Sequence, residues 1–132
     1  MIVADASIVA NALGDDGLDG AAARAVLRAE HDLAAPDLVD VETVSVLRRR
    51  WRNGDLTARR FRSAITDLGD LAIMRHPTLS FMSRAYELRA NVTPYDAAYV
   101  GLAEALDCEL VTADARLAAA PGPRCQIRIV RS

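Results

Sequence analysis

An α/β fold built on a mainly parallel sheet follows from three features of this chain. Short apolar runs alternate with longer stretches of helical spacing, the order that βαβ units require. Two of the runs, Ile2-Val3-Ala4 and Glu109-Leu110-Val111-Thr112-Ala113, pass directly into an acid, Asp5 and Asp114. The length of 132 residues, 52% of them hydrophobic, suffices for one core, yet no run is long enough to span a membrane. We expect one domain over residues 1–132, with a sheet covered by helices on both faces.

After the first strand and Asp5, residues 6–13 read as a short helix stopped by Gly14, and Asp15-Asp16-Gly17 is turn chemistry. Residues 18–31 carry Ala21, Ala25, Val26 and Leu27 at helical spacing, and Leu33-Ala34-Ala35-Pro36 is a second strand. Asp37 is placed to cap a long helix to about Arg52, which Asn53-Gly54 ends. Thr57 starts another helix through about Leu68. The apolar run Leu71-Ala72-Ile73-Met74 is the expected third strand, closed by His76-Pro77. Residues 79–90 form a helix with Phe81, Ala85 and Leu88 on its apolar stripe. Thr93-Pro94 opens a helix to Leu106, with proline in the favoured first position. The fourth strand, Glu109–Ala113, leads through Asp114 into a short helix at 115–119, broken at Pro121-Gly122-Pro123. Ile127-Arg128-Ile129-Val130 alternates as an edge strand does.

Composition excludes several functions. The formal charge of −2 offers no global attraction to nucleic acid. All 16 basic residues are Arg. Without Lys, Walker-type phosphate binding and Schiff-base chemistry are absent, and so is a receiver-type phospho-acceptor site, which also places acids at strand ends but relies on a lysine. Cys108 and Cys125 are too few for a disulfide framework and fit no zinc spacing, so both are expected as buried reduced thiols. No basic stretch precedes the first apolar run, so we expect no signal peptide and a cytoplasmic protein.

Four of the 18 acids stand out by their surroundings. Asp5 and Asp114 end strands that a parallel sheet would bring to one edge, where open α/β sheets bind ligands; either could equally cap the helix that follows it. Glu42 emerges among Leu38, Val39 and Val46, one helical turn away on either side, where a carboxylate is costly unless paired. Its neighbour Asp40 has Pro36, Asp37, Thr43 and Val44 at the same spacings and is expected to be solvated. Asp96 lies three residues after Thr93, as in a capping box, at the mouth of a helix apolar enough to be largely buried. Four carboxylates at one edge raise one another's pKa and call for a cation. With oxygen ligands alone, and His31 and His76 incidental at element ends, that cation is Mg²⁺ or Mn²⁺ rather than Zn²⁺. Hydrolysis of phosphodiesters by a metal-activated water is the chemistry such a pocket serves.

These stretches also carry a resemblance. Ile2-Val3-Ala4-Asp5-Ala6-Ser7, Pro36 to Glu42 with Val46-Leu47-Arg48-Arg49, Thr93 to Tyr99, and Leu110 to Leu117 together resemble a PIN domain, in order and over essentially the whole chain. More narrowly, the chain looks like the VapC toxins of bacterial VapBC toxin–antitoxin pairs. The resemblance implies a three-layer α/β/α fold, Mg²⁺- or Mn²⁺-dependent endoribonuclease activity, a VapB-type antitoxin that occupies the acidic groove, and a homodimer. Carried over position by position, Asp5, Glu42, Asp96 and Asp114 form the acidic quartet and the metal site, with Asp5 and Asp96 touching metal directly. Ser7 and Thr112 match the hydroxyl residues that support the first and last acids. Arg116 stands where some PIN domains carry a further acid or Asn, so the resemblance does not extend to a complete second metal site. Arg48, Arg49, Arg50, Arg52, Arg59, Arg60 and Arg62 are the densest supply of charge for an RNA backbone, unless they serve a helix end and a solvated face. Trp51 and Phe61 are expected to pack rather than stack on bases. The alternative to the nuclease is a non-catalytic PIN-like module that only binds a protein.

Overall fold

The computed structural model describes every residue from Met1 to Ser132. Strands β1 (Ile2–Ala4), β2 (Leu33–Pro36), β3 (Met74–His76), β4 (Glu109–Thr112) and β5 (Ile127–Ile129) form one sheet in the order β3-β2-β1-β4-β5. Every pairing is parallel, and the register sets Ile2 beside both Leu33 and Glu109, and Ala4 beside Val111. β1 is central and buried along its length, because an apolar strand with neighbours on both sides and helices on both faces has no solvated side to offer polar residues.

Seven helices cover the sheet: α1 (Ala6–Gly14), α2 (Leu18–Ala29), α3 (Val39–Arg52), α4 (Ala58–Asp70), α5 (Met82–Glu87), α6 (Pro94–Leu106) and α7 (Ala115–Ala119). α1 packs against α2, α3 and α4, while α6 packs with α5 and lies on β1, β2 and β4. The result is the three-layer α/β/α arrangement. The core gathers Val3, Ile8, Val9, Val39, Tyr99, Val100, Leu110 and Val111 from strands and helices alike.

α6 and α7 fall within the bounds the sequence predicts, and α1, α4 and β2 within a residue or two. Thr93 and Thr57 cap their helices by accepting the amides of Asp96 and Arg60. Five expectations need correction. The third strand is Met74–His76 rather than 71–74. The apolar run supplies a core plug at Ile73, while the edge strand itself exposes Met74 and ends at His76 beside Pro36. The helix expected at 79–90 is a 3₁₀ turn (Thr78–Phe81) followed by the six-residue α5. The stripe still faces inward at Ala85 and Leu88, but the chain then tightens, with Arg89 and Asn91 donating to carbonyls three residues back.

Asp37 does not cap α3, which begins after Leu38 without a side-chain cap. Its carboxylate instead accepts the hydroxyl and amide of Thr78, tying the start of α3 to the segment after β3. Asp40 is not free in solvent. Arg75 grips it through Nε and Nη2 at 2.8–3.1 Å, because β3 delivers a guanidinium to that face of α3. The cysteines are free, as expected, though only partly buried.

Candidate active site

The chain leaves β1 toward β2 on one side, and β4 lies on the other, so the sheet has its topological switch point between the C-terminal ends of β1 and β4. Crevices at such points are where open α/β sheets hold ligands. Asp5 follows β1 and Asp114 follows β4, and the Asp5 amide donates to Val111 O at 3.1 Å across the gap. Glu42 reaches the same place from the first turn of α3, and Asp96 from the first turn of α6. All four line one cavity of 510 Å³. Larger cavities exist elsewhere, including a 660 Å³ groove beside α2, but none gathers these acids.

Asp5 is the most constrained of the four. It is buried, caps α1 by accepting the Ile8 amide at Oδ1, and accepts the Ser7 hydroxyl at the same oxygen. The Thr112 hydroxyl donates to Oδ2. Both hydroxyls also work backwards: Ala113 N–H donates to Ser7 Oγ, and Asp114 N–H to Thr112 Oγ1, each at 3.0 Å. The two hydroxyls therefore clasp the end of β1 to the end of β4. Burial raises the Asp5 pKa against these hydrogen bonds, and the Asp96 charge adds to the rise. The cap and the pocket position are thus compatible roles for one carboxylate.

Glu42 finds the partner that its apolar surroundings demand. Tyr99, 1% exposed in α6, donates its hydroxyl to Oε1 at 2.7 Å. Burial lifts the Glu42 pKa; the Tyr99 bond opposes this, and the Asp96 and Asp5 charges reinforce it. Burial, and then the bond to Glu42, push the Tyr99 pKa upward, so the phenol remains a donor. Tyr99 was legible in retrospect: it lies three residues after Asp96, on the same helical face.

Asp96 makes only half of a capping box. Its amide donates to Thr93 Oγ1, but its carboxylate accepts no hydrogen bond from the Thr93 amide, and it lines the pocket. Burial, then the Asp114 charge, raise its pKa. Asp114 caps α7 through the Arg116 amide at 2.9 Å, and the exposed Arg116 side chain approaches it at 3.5 Å. Tyr95, Ser45 and Arg49 complete the rim, and the sequence singled out neither of the first two.

The pocket suits a hard divalent cation by its donor chemistry. Its acids are carboxylates throughout, without His or Cys, and three of them hold raised pKa values through burial and mutual repulsion. No three acidic, His or Cys side chains converge into a ready-made cage. That is compatible with Mg²⁺, which binds through one or two carboxylates and keeps several waters. With two donors on Oδ1 and one on Oδ2, Asp5 has its free lone pair on Oδ2.

Comparison with known proteins adds an independent line. A PIN domain signature matches residues 2–123. Ribonuclease VapC9 of Mycobacterium tuberculosis is 45% identical over 130 residues, covering 98% of this chain and 98% of that protein. Among solved structures, Mycobacterium tuberculosis VapC20, described as a toxin that cleaves the sarcin–ricin loop, superposes with a TM-score of 0.70 at 15% identity, over 90% of this chain and 94% of its own. VapBC2 of Rickettsia felis, solved on a DNA fragment from its promoter, gives 0.67 at 14% identity, over 98% and 99%. At those identities the two structures speak for the fold alone.

Proposed function

The chain belongs to the PIN-domain family, among the VapC ribonucleases, and from that premise we propose that Asp5, Glu42, Asp96 and Asp114 are the site at which it hydrolyses RNA phosphodiester bonds with a divalent cation. The observation that carries the proposal is the convergence of four acids, from four separate elements, on the cavity at the sheet's switch point. A module that only bound a protein would have no use for carboxylates held against their own repulsion.

The residues divide the work. Asp5 and Asp96 are the metal-touching pair, with Glu42 and Asp114 completing the set. When bound, Mg²⁺ or Mn²⁺ lowers the pKa of a coordinated water and neutralises charge on the phosphoryl oxygens. Ser7 and Thr112 fix the Asp5 carboxylate in one orientation, as outer partners of metal ligands do. Tyr99 holds Glu42 toward the cavity, where an ionised Glu42 can accept a proton from a water poised for in-line attack.

The whole chain acts as one PIN unit in this reading, as the toxin of a toxin–antitoxin pair restrained by a VapB-type antitoxin. No helix is long and apolar enough to cross a membrane, and we place the activity in the cytoplasm, where RNA is found. The direct test is cleavage of single-stranded RNA by the purified protein with Mg²⁺ or Mn²⁺. Cleavage should vanish on chelation and in Asp96→Asn. Undiminished cleavage by a folded Asp96→Asn protein would overturn the assignment. In cells, expression should arrest growth unless the antitoxin is co-expressed.

A further inference from the structure

The arginines that follow the acidic pocket do not behave alike. Arg50 is structural: Nη2 donates to the buried Asn11 Oδ1 at 2.6 Å. Arg60 is held by Asp16 at 3.1 Å, with a second bond from Nε. By contrast, Arg48, Arg49 and Arg52 are exposed, and their guanidinium groups make no hydrogen bond or ion pair to any protein group. They line, with Ser45 and Asn53, a cavity of 370 Å³. Ser45 and Arg49 also line the acidic cavity, so the two hollows share a wall on α3.

The helix geometry makes this shared wall a track. Glu42, Ser45, Arg49 and Arg52 fall within about 80° of arc at 100° per residue, which is one face of α3. At 1.5 Å per residue, Arg49 stands about 10 Å along the axis from Glu42. That is the length of about three stacked nucleotides of a strand. One face of a single helix thus carries an acid at the reacting end and unpaired guanidiniums downstream. A polyanion drawn to a negatively charged pocket needs such a counterweight, and guanidinium is suited to gripping phosphate in two-point fashion.

Resting on the ribonuclease reading above, we propose that Arg49 and Arg52, with Ser45 between them and the acids, form a phosphate-binding track that positions the RNA strand leading away from the scissile bond. Arg49, shared by both hollows, is the pivotal contact. Arg48 flanks the track. Arg59 and Arg62, exposed on α4 and lining neither hollow, lie outside it.

The test uses the full chain carrying Asp96→Asn as a non-cleaving background, with a fluorescein-labelled single-stranded RNA of random sequence. Binding is followed by anisotropy across a salt series. Adding Arg49→Gln or Arg52→Gln should weaken binding and flatten the slope of log K against log salt by about 0.7 each, one phosphate contact apiece. Arg49→Lys should keep most of the slope, and Arg59→Gln and Arg62→Gln should leave it unchanged. In the cleaving protein, Arg49→Gln should raise KM with kcat little altered. A slope unmoved by Arg49→Gln and Arg52→Gln, or moved equally by the α4 variants, overturns the track, as does loss of antitoxin binding with RNA binding intact. A wild-type protein that cleaves no RNA with metal overturns the ribonuclease reading itself. Cleavage by wild type with unaltered kinetics in Arg49→Gln overturns only the track.

Discussion

The Tyr99 hydroxyl in α6 donates to Glu42 Oε1 in α3 at 2.7 Å, across 57 residues of sequence. This bond joins the helical layers on the two sides of the sheet at the rim of the acidic cavity. It also answers what a carboxylate is doing on an apolar helical face. The phenol is almost wholly buried, while Glu42 opens on the cavity, so one partner can be removed without leaving the other sealed from water.

Tyr99→Phe keeps the ring and deletes the donor. Stability should fall by about 1 kcal/mol, the usual net worth of one hydrogen bond. Cleavage should fall too, because Glu42 loses its fixed direction. Denaturant unfolding paired with cleavage kinetics checks both, and a variant unchanged in either respect would show the bond to be incidental.

Thr112→Val removes a hydroxyl that donates to Asp5 and accepts from the Asp114 amide. Thr112 is fully buried, so the orphaned Asp114 amide and the loosened Asp5 carboxylate should together cost about 1–3 kcal/mol. Metal affinity should drop about 10–100-fold, as for other outer partners of metal ligands. Calorimetric titration with Mn²⁺ measures this directly; equal affinity in the variant would remove Thr112 from the site.

Divalent metal should stabilise the folded protein, because the acid cluster exists in the native chain alone. At a hundredfold excess over Kd the gain is about 2.7 kcal/mol, a rise of several degrees in Tm. Thermal melts with and without Mg²⁺ give the answer. The same rise in Asp96→Asn would place the metal elsewhere.

Acid should expose a second, purely structural carboxylate. Burial disfavours the charged form of Glu104, but the bonds from Arg84 at 2.7 and 3.0 Å and from the Arg124 amide at 2.7 Å outweigh it. Its folded pKa therefore lies below the ordinary value of 4.5. The stabilisation is present above that value and is lost as pH falls through the depressed one. Glu104→Gln should be destabilised by about 1–2 kcal/mol at neutral pH, and the deficit should shrink in acid. Urea unfolding at several pH values checks this; a deficit independent of pH would assign the effect to packing instead.

The alternation of strands and helices, the parallel sheet, and the four acids that meet at one cavity could all be read from the chain. Those features are local: a buried central strand such as Ile2–Ala4 must be apolar, and Thr93-Pro94 starts a helix wherever it stands. Ser7 and Thr112 were marked only by the family resemblance, as supports of the first and last acids; in the fold both hydroxyls donate to Asp5. What the sequence could not decide was pairing. Asp40 looked solvated until β3 brought Arg75 against it, and Asp37 looked like a cap until Thr78 claimed its carboxylate. The third strand slipped from 71–74 to 74–76 because an edge strand is chosen by register with its one neighbour, not by apolarity. Tyr99 as the partner of Glu42, and the separation of Arg49 from Arg50, likewise waited for tertiary structure. Side chains far apart in sequence meet only through the packing of the elements that carry them, and the charge they find there decides whether an acid or a guanidinium is satisfied or left free to bind.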